Sequence, residues 1–310
     1  VRALFIVNPR ATTTTSRSHE AIEGALRSEL DLTTVVTTHR DHARELAASA
    51  AEQGYGLLIG LGGDGTVNEI VNGLLEAPSH LPRPRFAVLP GGSANVFIRS
   101  LGMPADPVEA TGAVLRALRE GSEREIGLGL VDDGTADRYF TFCAGFGWDA
   151  DVVQRVEDER RHGRRATPAL YAEVAMKLFF QGDIRDPSLR VSGGGTSCNN
   201  VYFALVTNTT PWTYAGALPL QPTPASRFEL GLDAFALTHS STAVTGWILS
   251  QMFFPKGLPE QGEGYLTWHD EHSLTITSDR PRAFQIDGEY LGDREQVNCR
   301  SLPNALRIVC

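Results

Sequence analysis

Along the first 120 or so residues, short apolar runs alternate with stretches of helical period. Ala3–Val7, the β-branched Thr33–Thr37, Leu57–Leu61 and Phe86–Leu89 read as strands. Helical patterns fall between them, over about His19–Leu30 and Asp41–Glu52, from Thr66 through Ile70, Val71, Leu74 and Leu75, and from about Asn95. A further one has Pro107 in its first turn and Gly121 just past its end. Fully apolar strands are covered on both faces, and repeated strand–helix units build a parallel, doubly wound sheet. Beyond Arg124 the pattern changes. Candidate strands are Ile126–Leu130, Tyr139–Cys143, Val201–Thr207, Leu232–Leu237, Ser273–Thr277, Ala283–Ile286, Val297–Arg300 and Ala305–Val309. Turn-rich stretches such as Asp132-Asp133-Gly134 and Ser192-Gly193-Gly194-Gly195 separate them and favour antiparallel pairing. Helical patterns recur at Asp151–Arg161, Pro168–Phe180 and Thr242–Phe254. The expected organisation is an α/β domain over 1–123 and a β-rich domain over 124–310, with a C-terminal tail that can return to the first domain.

Composition narrows the class. A chain of 310 residues with 42% hydrophobic and 21% charged residues has the make-up of a soluble globular protein with two cores. Its formal net charge of −9 argues against nucleic acid as a main partner, since phosphate backbones are bound by basic surfaces. Cys143, Cys198, Cys299 and Cys310 lack CxxC spacing, which fits neither a zinc site nor a disulfide framework and suits a reducing compartment. No apolar run approaches the ~20 residues that span a bilayer. The chain opens on the strand-like Ala3–Val7 with no charged leader, so a cytoplasmic protein is expected; the missing initiator Met points to a short upstream segment.

Candidate chemistry gathers where the first-domain strands end. Gly62-Gly63-Asp64-Gly65-Thr66-Val67-Asn68-Glu69 follows a strand and opens a helix, with Thr66 and Glu69 spaced as a capping box. So little side-chain bulk lets backbone N–H groups approach an anion at a helix N-terminus, and Asp64 there suits a cation that arrives with the anion. Phosphate plus magnesium is one reading; a capped helix start with no ligand is the other. Three more loops share that sheet end: Asn8-Pro9-Arg10-Ala11-Thr12, Thr38 through Ala43, and Gly91-Gly92-Ser93-Ala94-Asn95, where Ser93 can cap the next helix. No GxxxxGK[ST] segment is present.

GGDGTVNE, followed by Pro90-Gly91-Gly92-Ser93-Ala94-Asn95-Val96-Phe97-Ile98-Arg99, resembles the diacylglycerol kinase catalytic family, which includes bacterial soluble lipid kinases and the sphingosine and ceramide kinases. The resemblance extends to Asn8-Pro9, to Thr38 with His42-Ala43, to Ala144 through Ala150, and to Gln285-Ile286-Asp287-Gly288-Glu289. It implies a nucleotide-binding α/β domain like those of NAD and diacylglycerol kinases, followed by an antiparallel β-sandwich, with ATP bound between the two. It also implies γ-phosphoryl transfer, with Mg²⁺, to the hydroxyl of a lipid such as diacylglycerol. By similarity, Asn8, Pro9, Arg10, Ala11, Thr12, Thr38, Gly62, Gly63, Asp64, Gly65, Thr66, Val67, Asn68 and Ser93 would contact the nucleotide. Asp64 would organise the metal–phosphate end, and Glu289, supported by Asp287, would accept the hydroxyl proton. Read alone, Asp287-Gly288 is also a favoured hairpin turn. The first loop lacks the family's glycine, with Thr12 in its place. An accessory Mg²⁺ site of bacterial relatives has its nearest match in Ser226–Gly231, where one carboxylate, Glu229, remains. The implied partner is a lipid at or from a membrane surface, which permits a peripheral position at the inner membrane face; a homodimer is compatible with the sequence.

Two alternatives stand beside this: a NAD kinase-like small-molecule kinase, because GGDGT is shared, and a catalytically silent lipid-binding regulator. Arg160-Arg161-His162-Gly163-Arg164-Arg165 can face anionic groups or be a solvated helix end. The apolar segments Met176–Phe180 and Trp247–Phe254 suit core packing, or an acyl chain where they are exposed.

Overall fold

The computed structural model describes residues 1–310 except 12–15, 133, 135–136, 165–166, 182–186, 240, 255–257 and 260. Two compact units emerge: Val1–Ile126 with Asn304–Cys310, and Gly127–Pro303.

The first unit is built from β1 (Arg2–Val7), α1 (Ser16–Arg27), β2 (Asp31–Val36), α2 (His42–Ala50), β3 (Leu57–Gly62), α3 (Asp64–Glu76), β4 (Arg85–Pro90), α4 (Val96–Ser100) and α5 (Pro107–Glu120). Its strands pair in parallel in the order β4-β3-β1-β2, and the chain's C-terminal stretch joins the β4 edge with Ile308 opposite Phe86. Every residue of β3 is buried, as the apolar run requires of a strand covered on both faces. Phe5, Ile22, Leu26, Leu57, Ile59, Leu89 and Val114 form one face's core. α5 starts and stops as its sequence dictates. Asp106 accepts from the N–H of Val108 and Glu109 ahead of Pro107, and Gly121 closes the helix in the left-handed conformation at φ 67°.

β5 (Glu123–Asp132) leads into the second unit. That unit contains β6 (Asp137–Phe140), β7 (Cys143–Gly147), α6 (Trp148–Arg161), α7 (Pro168–Gln181), β8 (Leu189–Gly193), β9 (Thr196–Val201), β10 (Phe203–Thr207), β11 (Thr213–Ala215), β12 (Leu218–Leu220), β13 (Leu232–Leu237), α8 (Thr242–Gln251), β14 (Gln261–Gly262), β15 (Tyr265–Glu271), β16 (Ser273–Ile286) and the part of β17 (Glu289–Val309) up to Pro303, the rest of β17 belonging to the first unit. Its strands run antiparallel in the order β14-β15-β13-β10-β7-β16-β17, with β8 on β16 and β9 on β8. Alternation decides what each face covers. Ala204 and Val206 of β10 and Ala234 and Ala236 of β13 join a core with Phe146, Val191, Ile276 and Phe284. Their neighbours Phe203, Leu205, Phe235 and Leu237 face the other way and pack with Trp148, Val152, Leu170, Val174 and Ile248 of α6, α7 and α8.

Tyr139–Cys143, which reads as one strand, divides at Thr141 and Phe142 into β6 and β7. Ser273–Thr277 and Ala283–Ile286 are one strand interrupted by register shifts, and Val297–Arg300 and Ala305–Val309 both lie in β17. Ile248 and Met252 are buried, whereas Met176, Trp247, Phe253 and Phe254 are exposed. In the basic run, Arg161 pairs with Asp158 and Arg164 with Glu159 and Glu173, as in a solvated helix end; Arg165 lies outside the described residues. No described helix is long and apolar enough to cross a membrane.

Candidate functional site

In the first unit, the loops after β1, β3 and β4 meet. Gly91 N–H donates to the Gly62 carbonyl at 2.8 Å, and Asn8 N–H donates to the Leu61 carbonyl at 2.9 Å. A Cβ on Gly92 would lie 2.6 Å from the Gly63 Cα, and one on Gly91 would lie 2.8 Å from the Gly62 Cα. These glycines are therefore required by each other, because two backbones touch where any side chain would part them. Gly65 differs. It is exposed and a Cβ there would meet nothing within 4 Å, so it faces open space. Asn8 Nδ2 donates to Thr66 Oγ1 at 2.8 Å, while Asn8 Oδ1 accepts from Arg10 N–H at 2.9 Å. Thr38 is exposed and its N–H donates to His42 Nδ1 at 3.1 Å. Pro9, Arg10 and Ser93 are exposed and Ala11 is partly so, while Val67 and Asn68 are buried within α3; Thr12 lies outside the described residues.

Two capping expectations are corrected. α3 begins at Asp64 with Gly63 as its N-cap, so Thr66 sits inside the first turn with its hydroxyl on Asn8 and forms no capping box with Glu69. Glu69 instead serves another helix. Its Oε2 accepts from Ala43 N–H at 3.2 Å at the start of α2, where the N-cap residue Asp41 is left-handed at φ 65° and supplies no side-chain cap. Burial, ahead of the opposing backbone hydrogen bonds, raises the Glu69 carboxyl above its usual range. Nor does Ser93 cap the next helix. Asn95 is the N-cap of α4, and its side chain folds back to accept from Gly92 N–H at 2.8 Å. The first α4 donors go to Asp64, whose Oδ2 and Oδ1 accept from Val96 and Phe97 N–H, each at 3.1 Å. Asp64 thus ties the β4 loop to α3. The N-terminus of α3 has a glycine cap, which offers its first backbone donors no side-chain acceptor.

In the second unit, Asp287 and Gly288 form the two-residue turn between β16 and β17, at φ 49° and 80°, with Ile286 opposite Glu289. Both Asp287 oxygens are engaged in the segment between β6 and β7. Oδ2 accepts from Thr141 N–H at 2.7 Å and Thr141 Oγ1 at 2.8 Å; Oδ1 accepts from Phe142 N–H at 3.0 Å and Cys143 N–H at 3.1 Å. A carboxylate with that many donors anchors a loop. Glu289, at the end of the same turn, is partly exposed and its Oε2 accepts from Arg138 Nη2 at 2.7 Å. The two acidic residues of the motif have different environments: Asp287 is saturated and buried, Glu289 reaches the surface.

Asp149, the second residue of α6, is marked in the sequence only as part of the family-like segment. It is 6% exposed and its Oδ2 accepts from Gln285 Nε2 at 2.7 Å. Burial pushes its carboxyl up to about 7, with the Gln285 hydrogen bond opposing and the Asp151 charge adding. An acid whose pKa rises on folding binds its proton more tightly when folded. Its contribution is therefore present below the unfolded value of about 3.9 and is lost as pH rises toward about 7. The full loss is on the order of 4 kcal/mol. Urea titrations from pH 4 to 8 should show wild-type stability falling through this window more steeply than that of Asp149→Asn; parallel curves would contradict the assignment.

Glu229 is the nearest match to an accessory-metal ligand of bacterial relatives, and the altered turn around it argues against a bound ion. Glu229 is exposed, and among the described residues no three His, Cys, Asp or Glu side chains converge to hold a metal ion. Arg138, Gln285 and the Thr141–Cys143 donors carry no role that the sequence announces. A glutamine inside the apolar run Ala283–Ile286 is the available signal, since a buried amide needs partners.

The diacylglycerol kinase catalytic domain model matches residues 2–131. A diacylglycerol kinase of Staphylococcus carnosus is 37% identical over 249 residues, 78% of this chain and 73% of that protein. A diacylglycerol kinase of Bacillus subtilis is 33% identical over 149 residues, 47% of this chain and 46% of its own length. A probable lipid kinase YegS-like protein of Chromohalobacter salexigens is 42% identical over 108 residues, 35% of this chain and 32% of that relative. The chain thus matches less than half the length of these last two. The solved structure of a putative diacylglycerol kinase from Bacillus anthracis superposes with a TM-score of 0.75 at 20% identity, over 99% of this chain and 96% of that one, which establishes a shared fold. With the Staphylococcus carnosus match covering most of both proteins, this chain belongs to the diacylglycerol kinase catalytic-domain family.

Proposed function

We propose that the protein transfers the γ-phosphoryl group of ATP to the hydroxyl of a lipid such as diacylglycerol. The observation that carries this reading is the first-unit loop assembly, in which three strand-end loops close on the α3 N-terminus and leave exposed Gly65 facing open space. Backbone donors at a helix start suit phosphate oxygens, and kinase family membership gives those phosphates an identity. Asn8, Arg10, Thr38, Gly62 through Asn68 and Ser93 are the proposed nucleotide contacts. Mg²⁺ would accompany the phosphates and neutralise their developing charge. Asp64 acts on that end mainly through the loops it ties together, because its oxygens already accept the Val96 and Phe97 donors.

Glu289 is the proposed proton acceptor. As the lipid hydroxyl oxygen attacks the γ-phosphorus, its O–H proton passes to Glu289 and the bond from phosphorus to the ADP oxygen breaks. Arg138 fixes the orientation of this carboxylate, and Asp287 fixes the turn that carries it. The deciding experiment incubates the protein with γ-labelled ATP, Mg²⁺ and a lipid panel in mixed micelles, with NAD as a separate acceptor. Labelled lipid phosphate, identified by mass spectrometry, is the expected product. Label on NAD with none on any lipid would overturn the reading.

A further inference from the structure

We propose that Gln285 and Asp149 are positioning residues for Glu289, a buried amide–carboxyl pair that couples the charge of Asp149 to the Asp287–Glu289 turn. The proposal rests on the phosphoryl-transfer reading above for its catalytic consequence, and on geometry for the coupling itself. Gln285 is 1% exposed and uses both ends of its amide. Nε2 donates to Asp149 Oδ2 at 2.7 Å, and Oε1 accepts from Gly288 N–H at 2.8 Å. Gly288 precedes Glu289, so a single side chain links the buried carboxyl to the backbone next to the proposed base. The amide orientation is determined by its partners. A flipped amide would set its NH₂ group against the Gly288 N–H, donor against donor.

Space for the pair is built into the sheet. Gly145 of β7 lies opposite Gln285 of β16 in register, and a Cβ there would come within 1.8 Å of Asp149 Oδ2 and 2.6 Å of Gln285 Nε2. The carboxyl and amide occupy the notch left by that missing side chain. A second carboxylate of α6 reaches the residue after Glu289, where Tyr290 N–H donates to Glu157 Oε1 at 3.2 Å. The backbone N–H groups on either side of Glu289 are thus held, Gly288 by Gln285 of β16 and Tyr290 by Glu157 of α6, and Asp287 anchors the turn to the Thr141–Cys143 segment.

Ionisation of Asp149 converts its bond with Gln285 from neutral to charge-assisted, which is roughly twice as strong. Asp151 on its own helix opposes ionisation and is itself held by Arg282 of β16 at 3.3 Å; from β7, the Cys143 thiol lies 3.6 Å from Gln285 Nε2. Burial moves the Asp149 carboxyl to about 7, so its charge changes near neutrality. Across that range the turn is gripped more firmly as pH rises.

Two readouts test this. In the full-length protein, the Gly288 amide resonance should titrate with a midpoint near 7 and become flat in Asp149→Asn, which keeps an acceptor oxygen without a titrating proton. In the lipid kinase assay, kcat should rise through the same midpoint, and Asp149→Asn should abolish that inflection. Gln285→Leu should break the link, so that the inflection is lost and kcat falls about fivefold on its high-pH side, the worth of one hydrogen bond, with KM for ATP unchanged. A wild-type Gly288 resonance that does not titrate between pH 5.5 and 8.5 overturns the coupling, whatever the fate of the variants. A titrating Gly288 beside an inflection retained in Asp149→Asn overturns its catalytic consequence. Absence of activity on any lipid strikes the phosphoryl-transfer reading, and the resonance titration then decides the coupling by itself.

Discussion

Asp287→Ala is expected to lower the stability of the second unit by about 3–5 kcal/mol, a large fraction of the roughly 5–15 kcal/mol that holds a typical domain folded. The present carboxylate accepts from the backbone N–H groups of Thr141, Phe142 and Cys143 and from the Thr141 hydroxyl, all buried. Truncation leaves those donors without an acceptor, at about 1 kcal/mol each, the low end of the usual penalty, since the segment can relax toward water. Ala also fits poorly at φ 49°, where Asp and Asn are tolerated, and that adds about 1 kcal/mol. Asp287→Asn keeps the backbone preference and one acceptor oxygen, so it should lose roughly half as much. Urea denaturation of the full chain, followed by tryptophan fluorescence, compares the three proteins. A midpoint for Asp287→Ala within error of wild type would show that the donors find other partners and that the loop does not depend on this residue.

This residue also shows where the sequence stops being readable. Tyr139–Cys143 has the composition of a single strand, yet it breaks at Thr141 and Phe142, where the backbone donors turn to a carboxylate 146 positions later. No local pattern can register a constraint so remote. Where burial alone decides, pattern and structure agree. β3 and β4 are apolar because both faces are covered, and Leu232–Leu237 coincides with β13. The short β11, β12 and β14 have too few residues to show a period, so the pattern passes over them.

The candidate site is legible in its residue types and less so in their tasks. Glycines at the ends of β3 and β4 mark the right loops, but a glycine that admits a phosphate and one that admits a neighbouring backbone look alike in sequence. Gly91 and Gly92 press on Gly62 and Gly63, whereas Gly65 faces open space. Thr66 and Glu69 have the spacing of a capping box, and the helix nonetheless begins earlier because Gly63 takes the N-cap position. Glu69 is then available to serve α2, and the sequence pattern has no access to that choice, which depends on how two helices pack.

The same distinction separates the two acidic variants for which the largest catalytic losses are expected. Glu289→Gln should lower kcat for lipid phosphorylation by roughly 10²–10⁴, the usual contribution of a positioned general base, and leave KM for ATP within about twofold. The fold should persist, because the glutamine carbonyl can still accept from Arg138 Nη2 in a partly exposed position. Asp64→Asn should behave differently. Its side chain caps α4 with both oxygens, and the amide retains one, so a stability loss of about 1–2 kcal/mol should accompany a raised KM for ATP as the β4 loop loosens. Steady-state kinetics on both variants, with melting curves alongside, separate the two outcomes. If Glu289→Gln lost activity only through KM, the residue would be a binding group and the proton would need another acceptor. If Asp64→Asn lost kcat at unchanged stability, Asp64 would act directly on the metal–phosphate end, and its hold on the Val96 and Phe97 donors would be secondary.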